Sequence, residues 1–201
     1  MATRRDDDAP TVLGVLLHRL ASPIGAIANY AHLMPNDDLG CRDGMLDAVG
    51  RAGEALEEAR SWIDAARALD AEASGPVALD AVVAAATPPS DRSVQCDGPL
   101  PSVQSHPAAV AWLLDALLAE AADHLPAGPV RVHAREDDPV SICITVEAPD
   151  AAPPATAEGD RWRLAAALAV RAGGHVGRLP EHEGPGLVLT LPGAGKEPPT
   201  A

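Results

Sequence analysis

Aromatic residues are almost missing from this sequence, since it contains no phenylalanine and only 2% aromatic residues in total. Proteins that bind single-stranded nucleic acid stack the bases on aromatic side chains, so no such platform is expected. Basic residues are scarce too: 15 Lys and Arg stand against 29 Asp and Glu, which gives a net charge of -14. Affinity for nucleic acid depends on neutralising phosphates, and we therefore do not expect nucleic acid as a partner.

Cysteine and long apolar runs are also rare. Cys41, Cys96 and Cys143 show no CxxC spacing, and their odd number provides no disulfide framework, which favours a reducing cytoplasm. No apolar run approaches the roughly 20 residues that span a bilayer, and the start MATRRDDDAP lacks the apolar region of a signal peptide. No His/Cys cluster suggests a metal. We expect a cytoplasmic protein with no membrane association and no metal site.

What the sequence does contain predicts two small folded domains. Its 201 residues are 47% hydrophobic and 22% charged, which is typical of a chain that folds around a core. We predict an α+β protein with a helical hairpin over 9–72, an α/β sandwich over 76–193 and a disordered tail over 194–201. A linker is expected at Ala73 to Pro76 because Gly and Pro follow one another there.

The first domain is predicted from two helical stripes of apolar residues. One helix is expected from Pro10 to Met34 and a second to about Asp70, joined by a short polar loop. The stripes are Leu13, Leu16, Leu17, Leu20, Ile24, Ile27, Ala31 and Met34, and then Met45, Val49, Ala52, Leu56, Ile63 and Ala66. A hairpin alone leaves such a stripe half exposed, so we expect a homodimeric four-helix bundle. The alternative is that the stripe packs on the chain's own second domain.

The second domain mixes helices with strands. Helices are predicted over 78–86, 107–124 and 162–172, and strands over 93–96, 130–134, 140–146, 175–179 and 187–191. This order predicts helices on one face of a mixed sheet.

The string from His18 to Ile27, HRLASPIGAI, resembles the phosphoacceptor box of sensor histidine kinases. With the run Pro23 to Asn29 it is still more similar to ChpT-like bacterial histidine phosphotransferases. The second domain resembles a kinase ATPase domain at Leu100 to Val103 with His106-Pro107, at Gly173-Gly174, and at Gly184 to Pro192. The likeness covers about Leu13 to Pro192.

The resemblance also shows what is missing. Where a kinase keeps an Asn that helps to hold Mg²⁺ and nucleotide phosphates, this chain has Glu120, and the Asp-x-Gly-x-Gly box corresponds to Glu147 to Ala151, without glycine. The second glycine box is absent, since Gly159 stands alone. We therefore expect no ATP binding and no cofactor, with Mg²⁺ entering only through a partner receiver.

Helix geometry independently places His18 on the outside of the first helix. At about 100° per residue it falls roughly opposite the apolar stripe, together with Ser22, Gly25 and Asn29. The resemblance implies that His18 is the phosphoacceptor. Arg19 replaces the acidic residue that aids autophosphorylation in kinases, and it could screen a phosphoryl group or be an ordinary surface residue.

The resemblance implies a role for the remaining site residues and a pathway. Ser22 is a supporting candidate beside His18, and Gly25, Ala28 and Asn29 are candidates for receiver binding, because small residues allow close approach. The implied function is histidine phosphotransfer in a two-component phosphorelay, with response-regulator receivers and an upstream hybrid kinase as partners. The alternatives are a pseudokinase that sequesters receivers and a divergent active kinase.

Overall fold

The structure, a computed structural model, describes residues 9–33, 40–71, 74–86, 92–135, 139–146, 159–180 and 183–194. Its contacts divide the chain into two units, one ending at Ile63 and the other beginning at Asp64. We refer to them as the hairpin unit and the α+β unit and describe each by itself. The division falls within a helix, and the predicted domain boundaries at 72, 76 and 193 stay predictions.

The hairpin unit contains two long helices, α1 over Ala9–Leu33 and the first part of α2, which spans Gly40–Ala71. Two contacts fix their direction. Arg19 pairs with Glu58 across the helices at 2.6 Å, and Tyr30 lies against Gly44. Since the later residue of α1 meets the earlier residue of α2, the helices run antiparallel, as predicted. Met34 and the polar loop lie outside the described residues.

The α+β unit alternates short strands with three further helices. In chain order its elements are β1 Gly75–Ala78, α3 Leu79–Ala85, β2 Val94–Cys96, β3 Ser102–Ser105, α4 Pro107–His124, β4 Val130–Arg135, β5 Val140–Val146, α5 Asp160–Arg171, β6 His175–Arg178 and β7 Gly186–Leu191. Five strands form one sheet in the order β2-β4-β5-β7-β6, in which β2 is parallel to β4 and the other pairs are antiparallel. This is the predicted mixed sheet.

Two helices cover one face of this sheet. Both α4 and α5 contact strands of the sheet and each other, so they lie on the same side of it. The helix α4 begins as its sequence predicts, with Pro107 in the first turn and the His106 imidazole accepting the Ala108 N–H at 3.2 Å. Core side chains that are almost wholly buried come from the helices and the central strands, among them Leu113, Leu117, Ile142, Ile144, Leu164, Leu168 and Leu189. The mixed α+β class is confirmed, and the dimeric bundle stays a prediction.

The prediction missed a second, two-stranded sheet in which β1 pairs with β3 in antiparallel register. Its first strand begins inside the stretch predicted as a linker, because a Gly-Pro pair is compatible with a short edge strand as well as with a turn. Beyond β7, Gly193 pairs with Val103 and the Ala194 N–H donates to the Ser102 carbonyl. The rest of the predicted tail lies outside the described residues.

The glycine pair after α5 has a conformational reason. Gly173 has a φ of +81°, and its N–H ends the helix on the Val170 carbonyl at 3.1 Å. A Cβ on Gly174 would clash with the backbone carbonyl of Thr190 in β7. Glycine is therefore required at both positions for the chain to pass from α5 into β6.

Candidate functional site

His18 lies on an exposed stripe of α1 that carries no large apolar side chain. Ser22, Gly25 and Asn29 follow it at helical spacings of four, three and four residues, and all four are exposed. The stripe extends about 17 Å along the helix, at about 1.5 Å per residue. Ala28 is also exposed at its edge. The structure thus places the predicted acceptor and the predicted receiver-binding residues together on one accessible surface.

Arg19 turns away from that stripe and toward α2. Its Nη2 lies 2.6 Å from Oε2 of Glu58, and about a quarter of the arginine side chain is exposed. Its Nη1 is buried and makes no hydrogen bond within the described part of the chain. Arg19 is therefore neither a free surface residue nor aligned with His18, since it joins the two helices one residue beyond the acceptor. Glu58 was missed because nothing in the sequence alone gives the register between the helices.

The hairpin unit also exposes large aliphatic side chains. We call six of them the apolar face: Leu13, Leu17 and Ile24 on α1, and Val49, Leu56 and Ile63 on α2. On α1 these side chains lie about 140° around the helix axis from the side that faces α2. On α2 they lie about 120° around the axis from the side that faces α1. Both rotations have the same sense when each helix is followed from its N-terminus. Because the helices are antiparallel, the same sense puts both sets on one side of the hairpin.

His18 falls on the opposite side of the hairpin from the apolar face. The stripe that contains His18 lies about 100° around α1 from the side that faces α2, in the rotational sense opposite to that of the apolar residues of α1. On α2 the corresponding side carries exposed Asp47, Glu54 and Ser61. The unit therefore has one polar surface with the histidine and one surface of unpartnered aliphatic groups.

The length and composition of α1 correct the expectation that no apolar segment could span a bilayer. Among the described residues, the stretch Val12–Leu33 is long and apolar enough to do so by these two measures, and it is mostly exposed. The prediction was wrong because it considered uninterrupted aliphatic runs, whereas the Leu, Ile, Val and Ala residues on both sides of His18 and Arg19 together give this stretch a high mean hydropathy. Length and apolar composition alone do not indicate a membrane, because core helices of soluble proteins share both properties.

Glu120, at the position where the resemblance expects the nucleotide-binding Asn, is buried in α4 with 5% of its surface exposed. Its Oε2 lies 3.2 Å from His124 Nε2, one turn further along α4. The backbone N–H of Trp162, in the first turn of α5, donates to the same carboxylate. Burial raises the pKa of Glu120, and the nearby His124 and Arg161 partly offset that effect.

These residues do not fit a nucleotide phosphate. A buried carboxylate would repel it, and the backbone donor at the start of α5 is already bonded to that carboxylate. The segments expected to hold the glycine boxes, except Gly159, lie outside the described residues. Within the described part no group of three or more metal-ligating side chains occurs. A cavity of about 380 Å³ between α3 and α4 is lined mainly by alanines, on the side of α4 away from Glu120.

Most of the chain superposes on solved structures, although no family model and no curated protein matches its sequence. The histidine kinase AdeS of Acinetobacter baumannii aligns with a TM-score of 0.60 at 14% identity, over 89% of this chain and 98% of that one. A bacterial phosphotransferase solved at 1.7 Å aligns with a TM-score of 0.50 at 19% identity, over 94% and 98% of the two chains. At these identities the likeness shows the fold, which is histidine-kinase-like.

Proposed function

We propose that this protein is a cytoplasmic, homodimeric histidine phosphotransferase that moves a phosphoryl group between receiver aspartates through His18, without using ATP. The observation that carries the proposal is the exposure of His18 on the polar surface of the hairpin, within a phosphoacceptor-like sequence. The histidine-kinase-like fold supports a role in two-component signalling.

The proposed transfer requires that a receiver domain can reach the imidazole. A ring nitrogen of His18 forms a bond to phosphorus while the P–O bond to the receiver's aspartate breaks, and the carboxylate leaves as an anion. The reverse reaction on a second receiver returns the histidine to its free form. In-line displacement needs the attacking and leaving atoms on opposite sides of phosphorus, which only an open approach to His18 permits. The receiver would supply the Mg²⁺ that this chemistry uses.

The receiver would dock along the stripe below His18. The small side chains of Gly25 and Ala28 let a partner approach the helix closely, and Asn29 offers a hydrogen-bonding group. On α2 the flanking Glu54 gives this surface a negative edge, whereas Asp47 is paired with Arg51 one turn further along the helix. A receiver with basic residues around its phosphorylation site would therefore associate faster than an acidic one.

The apolar face of the hairpin supports a second copy of this chain as its occupant. Positions 13, 17, 20, 24 and 27 of α1 and 49, 52, 56, 59 and 63 of α2 alternate by three and four residues, which is the seam spacing of helical bundles. A twofold dimer would cover both apolar faces while both His18 surfaces stay accessible. The homodimer also explains the apolar character of α1 without a membrane.

Labelled transfer tests the proposal. The full chain is incubated with a receiver carrying ³²P on its aspartate, and label on this protein is followed over seconds to minutes. We expect labelling of wild type, none of His18→Ala, and undiminished labelling of His32→Ala, which removes another exposed histidine from the same helix. Absence of label on wild type across a panel of receivers contradicts the proposal, as does label that persists on His18→Ala.

Two further measurements separate the alternatives. Stable binding of a receiver without transfer would identify the protein as a sequestering pseudokinase. Incubation with labelled ATP alone would identify a divergent kinase if His18 became labelled. Fractionation of expressing cells tests the cytoplasmic assignment, since a membrane-spanning α1 would keep the protein in the membrane pellet after a high-salt wash.

A further inference from the structure

The start of α5 has no cap from its own sequence. Its N-cap residue is Gly159, which has no side chain to accept a hydrogen bond from the first turn. Helices leave their first backbone N–H groups without partners inside the helix, and buried donors of this kind are costly unless an acceptor is found. Since α5 packs on α4, its first turn needs an acceptor from elsewhere in the chain.

Glu120 of α4 provides that acceptor. Its carboxylate accepts the N–H of Trp162, the third residue of α5, which is the donor that an N-cap side chain normally satisfies. A Cβ placed on Gly159 would lie 3.5 Å from Oε1 of Glu120, so the carboxylate sits directly against the N-cap. The side chain of Glu120 is only 7% exposed. It is therefore committed to this contact rather than to solvent.

Further charges hold the same junction. His124 contacts the Glu120 carboxylate at 3.2 Å, and Arg161 of α5 reaches Asp123 of α4 at 3.5 Å. The Arg161–Asp123 pair links the two helices where α5 begins, and the His124 contact holds the Glu120 carboxylate in place. The helix N-terminus with its positive end of the dipole is a place where proteins bind the phosphates of ligands. In this chain the carboxylate of Glu120 occupies that place at the N-terminus of α5.

We propose that Glu120 is an internal substitute for a ligand's anionic group, which caps α5 from α4 and holds the start of α5 against α4 without nucleotide. Glu120, which replaces the Asn expected from the resemblance, thus adds a contact between α4 and α5 in addition to removing a nucleotide contact. This inference is independent of whether His18 carries phosphate.

Amide hydrogen exchange of the full chain tests the inference at the first turn of α5. We expect Glu120→Ala to raise the exchange rate of the Trp162 amide by at least about tenfold, because the half-buried donor loses its acceptor. Glu120→Gln keeps an amide oxygen at the same place and should stay within about threefold of wild type. Asp115→Asn, an exposed charge change on the same helix but on the side away from Glu120, is the matched control and should leave this amide protected.

A second variant and a ligand measurement complete the test. Glu120→Met fills the buried space without an acceptor, so the same loss of protection is expected even if the alanine variant fails to fold. Mg-ATP and inorganic phosphate should leave exchange in wild-type α5 unchanged. The inference is overturned if Glu120→Met leaves the Trp162 amide as protected as in wild type, or if Mg-ATP slows exchange at the start of wild-type α5.

Discussion

The hairpin unit and the α+β unit differ in where they keep their apolar side chains. Of the nine exposed large hydrophobic residues in the described chain, eight belong to the hairpin unit and only Val170 to the other. The α+β unit buries its leucines and isoleucines between α4, α5 and the central strands. The α+β unit is therefore complete as a folding core, whereas the hairpin unit keeps an exposed apolar face that the proposed homodimer would cover.

The largest expected effect tests whether the apolar face belongs to a dimer. Leu17 is 57% exposed in the single chain, and covering this exposed part in each of two copies should contribute about 2–3 kcal/mol per dimer. Leu17→Asp also places a charge in the apolar seam of each copy, so it should raise the dimer Kd by about 10²-fold or more in sedimentation velocity experiments. Asn29→Asp, which adds the same charge on the polar side of α1, should leave dimerisation unchanged.

Equal sedimentation of the two variants would show that the apolar face is not a dimer interface. The apolar face would then need another occupant, either a lipid bilayer or a different protein. Amide exchange in β5 and β7 reports whether the α+β unit keeps its sheet in Leu17→Asp. If the dimer dissociates while these strands stay protected, the two units depend on different contacts.

The next effect concerns the packing inside the hairpin. A Cβ on Gly44 would come within 2.6 Å of the Tyr30 ring, so Gly44→Ala forces the ring or the helices to shift. We expect a loss of about 1–3 kcal/mol in hairpin stability. Gly50→Ala, in the same helix with nothing within 4 Å of the added methyl, should instead stabilise α2 by about 0.5–1 kcal/mol.

Urea unfolding of both glycine variants, followed by helical circular dichroism, provides the measurement. The opposite signs separate close packing at Tyr30 from the general preference of helices for alanine over glycine. If Gly44→Ala is as stable as Gly50→Ala, α1 and α2 are farther apart at this end than the structure shows.

Much of the fold follows from the sequence because its signals are local. The limits of α4 and β5 agree with their prediction, since α4 has a Pro start and a long apolar pattern and β5 a run of β-branched residues. The exposed stripe of His18 also follows from the helical period alone. The strands β1 and β3 were missed because four-residue strands without a strong apolar alternation resemble loops.

The parts of the site that sequence reasoning missed all depend on contacts between distant elements. The pairing of Arg19 with Glu58 requires the register of two helices, which no single helix specifies. The cap on α5 requires that α4 bring Glu120 to Gly159, although the absence of a capping side chain at Gly159 was a visible signal. Motif comparison identified Glu120 as a loss, and only the packing of α4 on α5 shows what the residue does instead.

A smaller effect is expected for the ion pair beside His18. Arg19 and Glu58 have 24% and 19% of their side chains exposed, so water partly screens the pair, and we expect it to contribute about 1–2 kcal/mol. Arg19→Glu should destabilise the hairpin by about that amount through repulsion with Glu58, and the exchanged pair Arg19→Glu with Glu58→Arg should recover most of it. Thermal unfolding of the four proteins in this cycle measures the coupling. Recovery of stability without recovery of phosphotransfer would show that the charge at position 19 matters to the acceptor itself.

The smallest expected effect lies in the pH dependence of the α+β unit. Burial raises the pKa of Glu120 in the folded protein, so the folded state takes up the proton at higher pH than the unfolded state does. The contribution of this group to stability is therefore lost as pH rises through the folded pKa and is fully present below the unfolded pKa. Relative to Glu120→Gln, wild type should gain stability as the pH is lowered from about 7 to about 4.

His124, Asp123 and Arg161 face the same carboxylate, so the difference between wild type and Glu120→Gln is measured again with His124→Gln present in both. A difference that is flat with pH, with or without His124, would contradict this prediction, because the Trp162 N–H and the neighbouring charges would then offset the burial of Glu120 completely.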